Sequence, residues 1–388
     1  MTILITGGDG YLGWPTALRI ASGTDDRVIL VDNFGRREWV EEVGATSATP
    51  VASIDERLEA AREIHGLTNL SFVEGDLVEK SFVDELLSVH EPDVVVHTAA
   101  QPSAPYSQIN GERANYTQHN NLQATRNLLW GLEEHDLTDT HFIETTTTGV
   151  YGAPEFPIPE GGATMENDGE RDDVPFPAMA GSWYHLTKSH DAANMRLAHK
   201  QFDIPISDVR TAIVYGTETT ETREDDRLKT RFDFDYYFGT VGHRFAAQAV
   251  AGYPVTVYGK GEQRKPFISL EDSVEGLAQL ALSDPDERPD DFTVYNQVTR
   301  AISIVEIAET IAEVGNEFDL DVAVEHFENP RDEDETHKME IENDRYDALI
   351  GGQDQSFEAG VRDIFETLTR YDETITAHED RFLPGVLE

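Results

Sequence analysis

The sequence contains no cysteine, which removes disulfides, thiolate nucleophiles and sulfur-ligated metals together. Basic side chains are scarce: 30 Lys and Arg stand against 75 Asp and Glu, a formal net charge of −45 at pH 7. A surface that grips a phosphate backbone needs the opposite surplus, so nucleic acid is nearly excluded as a partner. No run approaches the ~18 uncharged apolar residues of a membrane-spanning helix. The opening MTILITGGDG lacks the basic and then apolar pattern of a secretory leader. These absences predict a cytoplasmic protein, with no membrane partner, in which His, Asp or Glu would have to carry any metal. No metal site is expected.

What is present suffices for a sizeable core: 39% hydrophobic residues, with 18 Phe, 13 Tyr and 4 Trp. The acidity therefore does not signal disorder. It is spread along the whole chain, as on the surfaces of halophilic proteins, and such a surface repels itself when salt no longer screens it. Loss of fold or activity on desalting is the expectation.

The first thirty-odd residues read strand, glycine-rich turn, helix, strand. Thr2 to Thr6 is apolar, Gly7 to Gly13 is glycine-rich, Tyr11 to Ala21 has helical spacing, and Arg27 to Val31 is apolar again. Further buried-strand candidates follow at Leu70 to Glu74, Asp93 to His97, His141 to Thr145, Ile206 to Val214 and Thr293 to Gln297. Alternation of this kind predicts an α/β fold with a doubly wound parallel sheet. Phe34 to Gly66 and Ala153 to Gly181 break the pattern and are expected to be long functional loops. After Tyr215 the alternation degrades. Tyr253 to Gly261, Ile302 to Val314 and Val322 to Phe327 suggest a smaller mixed α/β lobe. The expected division is a Rossmann domain over 1–210 plus about 266–300, with a substrate lobe over about 211–265 and 301–388.

Gly7, Gly10 and Gly13 form G-x-x-G-x-x-G directly after the first strand. Glycine there permits a tight turn and close approach of the backbone to a pyrophosphate, while the following helix N-terminus offers N–H donors. Asp32 ends the second strand, where a carboxylate can accept both ribose hydroxyls and repel a 2′-phosphate. NAD is therefore favoured over NADP, although Arg36 and Arg37 follow closely. Asp76, at the end of the third strand, is a candidate cap for the adenine. Asp9, Tyr11, Leu12, Asn33, Leu77, Ala99, Asn120 and Val214 complete the expected cofactor surface.

Tyr184 and Lys188 form Y-x-x-x-K, which on a helix places them on one face. An ammonium beside the phenol is expected to lower its pKa and let it take a proton from a sugar hydroxyl. Thr147, at the end of a strand, adds a hydroxyl for the same oxygen.

These residues, with Val257-Tyr258-Gly259, resemble the extended short-chain dehydrogenase/reductases of the NAD-dependent epimerase/dehydratase family. Within it the chain is most similar to the UDP-sulfoquinovose synthases. The similar stretches are G-D-G-Y-L-G-W at 8 to 14, V-D-N at 31 to 33, S-A-P-Y-S at 103 to 107, Y-T-Q-H-N-N at 116 to 121, Y-H-L-T-K at 184 to 188, D-Y-Y-F-G-T at 235 to 240 and V-Y-G-K-G at 257 to 261, with Y-N-Q at 295 to 297 and N-P-R at 329 to 331.

The resemblance implies an NAD-dependent enzyme that oxidises C4 of UDP-glucose, eliminates water across C5 and C6, adds sulfite at C6 and returns hydride to C4. It makes Tyr184 the base, Lys188 its electrostatic partner and ribose ligand, Thr147 a partner of the reacting oxygen, and His185 the group that moves the C5 proton. Gln101, Thr211, Val241, His243, Arg244, Thr256, Val257, Tyr258, Gln263 and Arg331 stand at substrate-binding positions, Arg331 as the diphosphate ligand. It also implies a homodimer through the helices around Leu122 to Leu132 and Trp183 to Leu197.

The chain departs from the family in three places. Pro102 replaces an arginine in Ala100-Gln101-Pro102-Ser103, Thr211 replaces a glutamine, and Thr147-Thr148-Gly149-Val150 lacks the family's glutamate. A forked cation is not replaceable by proline. The alternative reading is accordingly a UDP-hexose 4-epimerase or a related keto-sugar enzyme, with a non-catalytic NAD-binding protein as a third.

Overall fold

The computed structural model describes residues 1–176, 179–284, 292–328, 339–352 and 355–383. The first half of the chain alternates strictly: β1 (Thr2–Thr6), α1 (Gly13–Gly23), β2 (Arg27–Asp32), α2 (Gly35–Glu42), α3 (Ile54–His65), β3 (Leu70–Glu74), α4 (Lys80–His90), β4 (Val94–His97), α5 (Gly111–Glu134) and β5 (His141–Thr147). A hairpin of β6 (Gly162–Asn167) and β7 (Glu170–Pro175) comes before α6 (Trp183–Phe202), β8 (Ile206–Thr211) and β9 (Ile213–Tyr215). The remainder mixes α7 (Val241–Val250), β10 (Val255–Tyr258), β11 (Arg264–Ser269), α8 (Leu270–Leu282), β12 (Phe292–Gln297), β13 (Arg300–Ser303), α9 (Ile304–Glu317) and β14 (Val324–Phe327). It closes with α10 (Asp344–Leu349), α11 (Phe357–Leu368) and α12 (Asp372–Thr376).

Seven strands form one sheet in the order β12-β8-β5-β4-β1-β2-β3, and every pairing in it is parallel. Strands buried on both faces carry continuous apolar runs, which is why Ile3-Leu4-Ile5 and Val94-Val95-Val96 have no solvent exposure. One face packs Trp14, Leu18, Ile143 and Leu277, and the other packs Leu128, Leu132, Phe142 and Met195. This is a Rossmann-type doubly wound fold. Its strand order reverses between β1 and β4, and a crevice opens there beyond the carboxyl ends of the strands.

The second lobe has its own apolar core around Phe232, Phe245, Ile307 and Phe365, with small sheets β13-β11-β9 and β10-β14. β11 pairs with β9 and β13, so residues 266–269 belong by strand pairing to the small sheet rather than to the Rossmann sheet. The expected strand over Ile206 to Val214 is broken at Ala212. The Ala212 N–H bonds to the Gln297 carbonyl, after which the chain leaves the large sheet and pairs as β9 with β11.

Neither interruption of the pattern is a bare loop. Residues 34 to 66 hold α2 and α3, the latter opened by a capping box in which Ser53 and Glu56 satisfy each other's backbone N–H. Among the described residues of 153 to 181 lies the antiparallel hairpin β6–β7. The stretch before it is tied to the C-terminal part of the chain through an isolated bridge between Ile158 and Ile341 and through the Glu160 carboxylate, which accepts the Asn296 and Arg345 N–H groups. Among the described residues no helix is long and apolar enough to cross a membrane.

Candidate active site

A cavity of about 810 Å³ occupies the crevice between the two lobes. At its cofactor end the chain turns from β1 into α1 through Gly7 to Gly13. Gly7 has φ +77°, and a Cβ on Gly13 would lie 2.0 Å from the Gly7 carbonyl oxygen. Only glycine lets the turn close this tightly. No side chain caps the N-terminus of α1, and the turn lines the cavity through Gly7, Gly10, Tyr11, Leu12 and Gly13, the geometry that suits a pyrophosphate.

Asp32 closes β2 on the same rim. Its carboxylate accepts the Asp9 N–H at 2.9 Å and the Phe34 N–H at 2.7 Å. Burial pushes its pKa up to about 6 while these donors pull it down. A carboxylate has about four acceptor sites, so capacity remains for a ribose diol, while a phosphate there would meet a negative charge. Asn33, Arg36, Asp76, Leu77, Ala99, Asn120 and Val214 also line the cavity. These features fit NAD.

Two expected cofactor residues lie behind the turn rather than in the cavity. The Asp9 carboxylate is 1% exposed and is gripped by Arg37 at 2.7 Å and Arg57 at 3.1 Å. Asp9 and Arg37 thus brace the glycine turn from beneath, with Nε and Nη2 of Arg37 committed to Asp9 and the Ala52 carbonyl. Arg57 is itself fully buried and lies over the Trp14 ring. Nothing in the sequence distinguishes it from the other arginines. Arg36 does reach the cavity, where it pairs with Asp233 at 2.6 Å and lies over the Phe238 ring.

The catalytic candidates converge from two elements. β5 ends at Thr147, whose hydroxyl accepts the Gly149 N–H at 3.0 Å. α6 starts at its cap Ser182, so Tyr184, His185 and Lys188 occupy its first two turns, and all four candidates line the cavity. The Ser182 hydroxyl accepts the His185 N–H at 3.1 Å and lies 3.0 Å from the ring Nδ1. A Cβ on Gly149 would lie 2.4 Å from the imidazole, so the ring rests directly on that glycine. Burial, helped by the nearby Lys265 charge, pushes His185 down to about 4. Its imidazole is therefore neutral at pH 7, rather than titrating near neutrality as a surface histidine would.

The expected effect of Lys188 on Tyr184 is outweighed in the structure. Burial raises the Tyr184 pKa above its ordinary value, Lys188 pulls it down, and Asp191 and Glu144 push it up. The ammonium is already engaged: Lys188 Nζ lies 3.0 Å from Glu144 Oε1 and 3.8 Å from Asp191 Oδ2. Neither carboxylate was singled out in the sequence, since acids spaced along so acidic a chain carry no signal of their own.

At the far end, Thr211, Val241, His243, Arg244, Thr256, Tyr258 and Gln263 line the cavity. Thr240 Oγ1 and Gln263 Oε1 are buried without a hydrogen-bond partner and line the cavity, which suits a polar ligand. Val257 and Gln101 are buried away from the cavity. Val257 is wholly enclosed in the second core, as the alternation of β10 requires when Thr256 and Tyr258 face the cavity. The Gln101 N–H bonds to Asn121 and its side chain faces Thr117, while Pro102 and Ser103 line the cavity instead. Arg331 lies outside the described residues. Lys265 and Met339, not foreseen from the sequence, also line the cavity.

The fold, the glycine turn and the Tyr-Lys pair define a class. The chain belongs to the NAD dependent epimerase/dehydratase family, which matches residues 3–296, and it is an NAD-dependent enzyme of nucleotide-sugar chemistry. Among curated proteins it is 40% identical over 339 residues to the UDP-sulfoquinovose synthase of Sulfolobus acidocaldarius, covering 87% of this chain and 84% of that one. It is 38% identical over 335 residues to the chloroplastic UDP-sulfoquinovose synthase of Spinacia oleracea, covering 86% and 68%. A UDP-glucuronic acid 4-epimerase variant from Bacillus cereus, solved with NAD and a fluorinated substrate analogue, shares the fold at a TM-score of 0.71 and 19% identity, covering 95% of this chain and 99% of that one.

Proposed function

We propose that the protein catalyses the UDP-sulfoquinovose synthase reaction, joining UDP-glucose and sulfite with loss of water. The observation that carries the reading is the convergence of Thr147, Tyr184, His185 and Lys188 on one cavity, in a chain 40% identical to such a synthase over most of both lengths. Bound along the glycine turn and Asp32, NAD would supply the hydride acceptor and donor for C4. In its phenolate form, which the Lys188 charge favours, Tyr184 accepts the proton of the 4-hydroxyl, and Thr147 orients that oxygen. The resulting 4-keto group acidifies C5, and the neutral His185 takes the C5 proton and passes it to the departing 6-hydroxyl, which leaves as water. Sulfite, as HSO3−, then adds through sulfur at C6 while its proton goes by way of His185 to C5, and Tyr184 returns its proton to the oxygen at C4. Gln263, Thr240 and Arg244 hold the UDP end.

Sulfite needs a cation beside His185, and Pro102 stands where the family resemblance leads one to expect an arginine. Lys265 supports the reading: it lines the same cavity and its charge acts on the His185 ring. The proposal includes a homodimer through α5 and α6, where Trp130, Trp183 and Leu197 are half exposed, and a fold that needs salt. Sedimentation across a salt series tests both.

The deciding experiment is mass spectrometry of the products formed from UDP-glucose and NAD, with and without sulfite, at molar salt. A product heavier by the exchange of hydroxyl for sulfonate, formed only with sulfite, is expected. An isobaric UDP-hexose irrespective of sulfite overturns the synthase reading in favour of an epimerase and marks Pro102 as the change responsible.

A further inference from the structure

Beneath Lys188 lies a buried cluster that the reaction as described does not use. Lys188, Glu144 and Asp191 are at most 3% exposed at their side chains. The lysine stands between two carboxyl groups, Glu144 from β5 at 3.0 Å and Asp191 from its own helix at 3.8 Å. Glu144 Oε2 and both Asp191 carboxyl oxygens are buried without a hydrogen-bond partner, and each carboxyl group acts electrostatically on the other.

Among the described residues, the nearby titratable groups have partners of their own. Asp208 on β8 is paired with Arg210 at 2.9 Å and accepts the Thr146 hydroxyl. His97 on β4 is held between Thr6 and Thr125, and burial, with Lys188 beside it, keeps it well below the usual histidine range and so neutral. Arg36 of α2, which also acts on Tyr184, shares the Asp233 carboxylate with Arg231. The cluster thus has one ammonium for two buried carboxyl groups. A second unpaired negative charge in such a place is prohibitively costly. Burial raises the proton affinity of both carboxyl groups, while Lys188 opposes it.

We propose that Glu144 and Asp191 share one proton behind Lys188, leaving a single negative charge against the ammonium. As positioning residues they hold Lys188 charged and in place while Tyr184 takes up the C4 proton and gives it back. Two carboxyl groups close together without room for two charges share a proton in this way. The arrangement suits a reaction in which the proton taken at C4 is returned to C4. The inner neighbour of Lys188 is then a closed store rather than a route to solvent. This inference rests on the reading of Tyr184 as the base at C4.

The test uses the full-length protein with NAD in molar salt. Infrared difference spectra at pH 7.5 compare the wild type with Glu144→Gln and with Asp191→Asn, and either substitution is expected to remove one protonated-carboxyl stretch. The double variant leaves Lys188 unopposed, and its UDP-glucose oxidation, followed by nicotinamide absorbance, is expected to show an acid limb displaced about one unit or more toward low pH. A protonated-carboxyl band left intact in both single variants, or a double variant with the wild-type limb and only a lower melting temperature, would overturn the proposal. Tyr184→Phe separates the two readings: oxidation by that variant at the wild-type rate refutes the role of Tyr184, whereas the infrared result stands or falls without it. If Glu144→Gln does not fold, Asp191→Asn carries the infrared comparison.

Discussion

The cofactor end of the cavity and its catalytic wall are built from different materials. The cofactor end is backbone: a turn in which Gly13 leaves no room for a Cβ, an uncapped helix start and one carboxylate held by two amides. Its supporting charges, the Asp9 carboxylate between Arg37 and Arg57, are paired with one another and turned away from the ligand. The catalytic wall is side chain on side chain, with more buried acid than base and an imidazole resting on a glycine. A surface that only binds needs shape and a few amides. One that moves protons needs groups whose environments push their proton affinities apart.

That contrast can be broken at the cofactor end with the largest effect. Gly13→Val would drive a branched side chain into the Gly7 carbonyl. NAD affinity should fall by about 100-fold or more, measured by calorimetric titration, because the backbone cannot move away without opening the turn. Retained nanomolar-to-micromolar binding would mean that the turn is not the anchor. On the catalytic wall, Gly149→Ala places a methyl 2.4 Å from the His185 ring. Sulfonated product should fall about 10- to 100-fold, while nicotinamide reduction by UDP-glucose is spared. Equal loss of both would show that Gly149 shapes the whole cavity rather than His185 alone.

The smallest expected effect concerns pH. Asp32 has its pKa raised to about 6, so it is ionised above that pH and protonated below. A protonated carboxyl loses half of its acceptor role toward the ribose, so NAD affinity should weaken a few-fold as pH falls from 7 to 5. In Asp32→Asn the affinity should be lower throughout and flat over the same range. Parallel slopes in the two proteins would place the titrating group elsewhere.

The glycine triplet, the acid ending the second strand and the Y-x-x-x-K spacing were legible because each reflects a local rule of turn, strand end or helix face. The helices over 35–42 and 54–65 were read as loop, although Ser53-x-x-Glu56 carries a capping-box signature that would have revealed the second. Asp9 and Val257 were assigned to ligand surfaces by motif membership alone. In the fold, the first turns inward to two arginines and the second points to the core side of its strand.

From the sequence alone follow the parallel α/β architecture, the nucleotide crevice and the helix face that carries Tyr184 and Lys188, because periodicity and glycine placement are encoded within a few residues of one another. Only the tertiary structure decided what surrounds Lys188, since Glu144, Asp191 and Asp208 come from two strands and a helix. It also decided the proton affinities of Tyr184 and His185. Desolvation and the charge of residues distant in sequence set those affinities, and neither exists until the lobes have closed over the site.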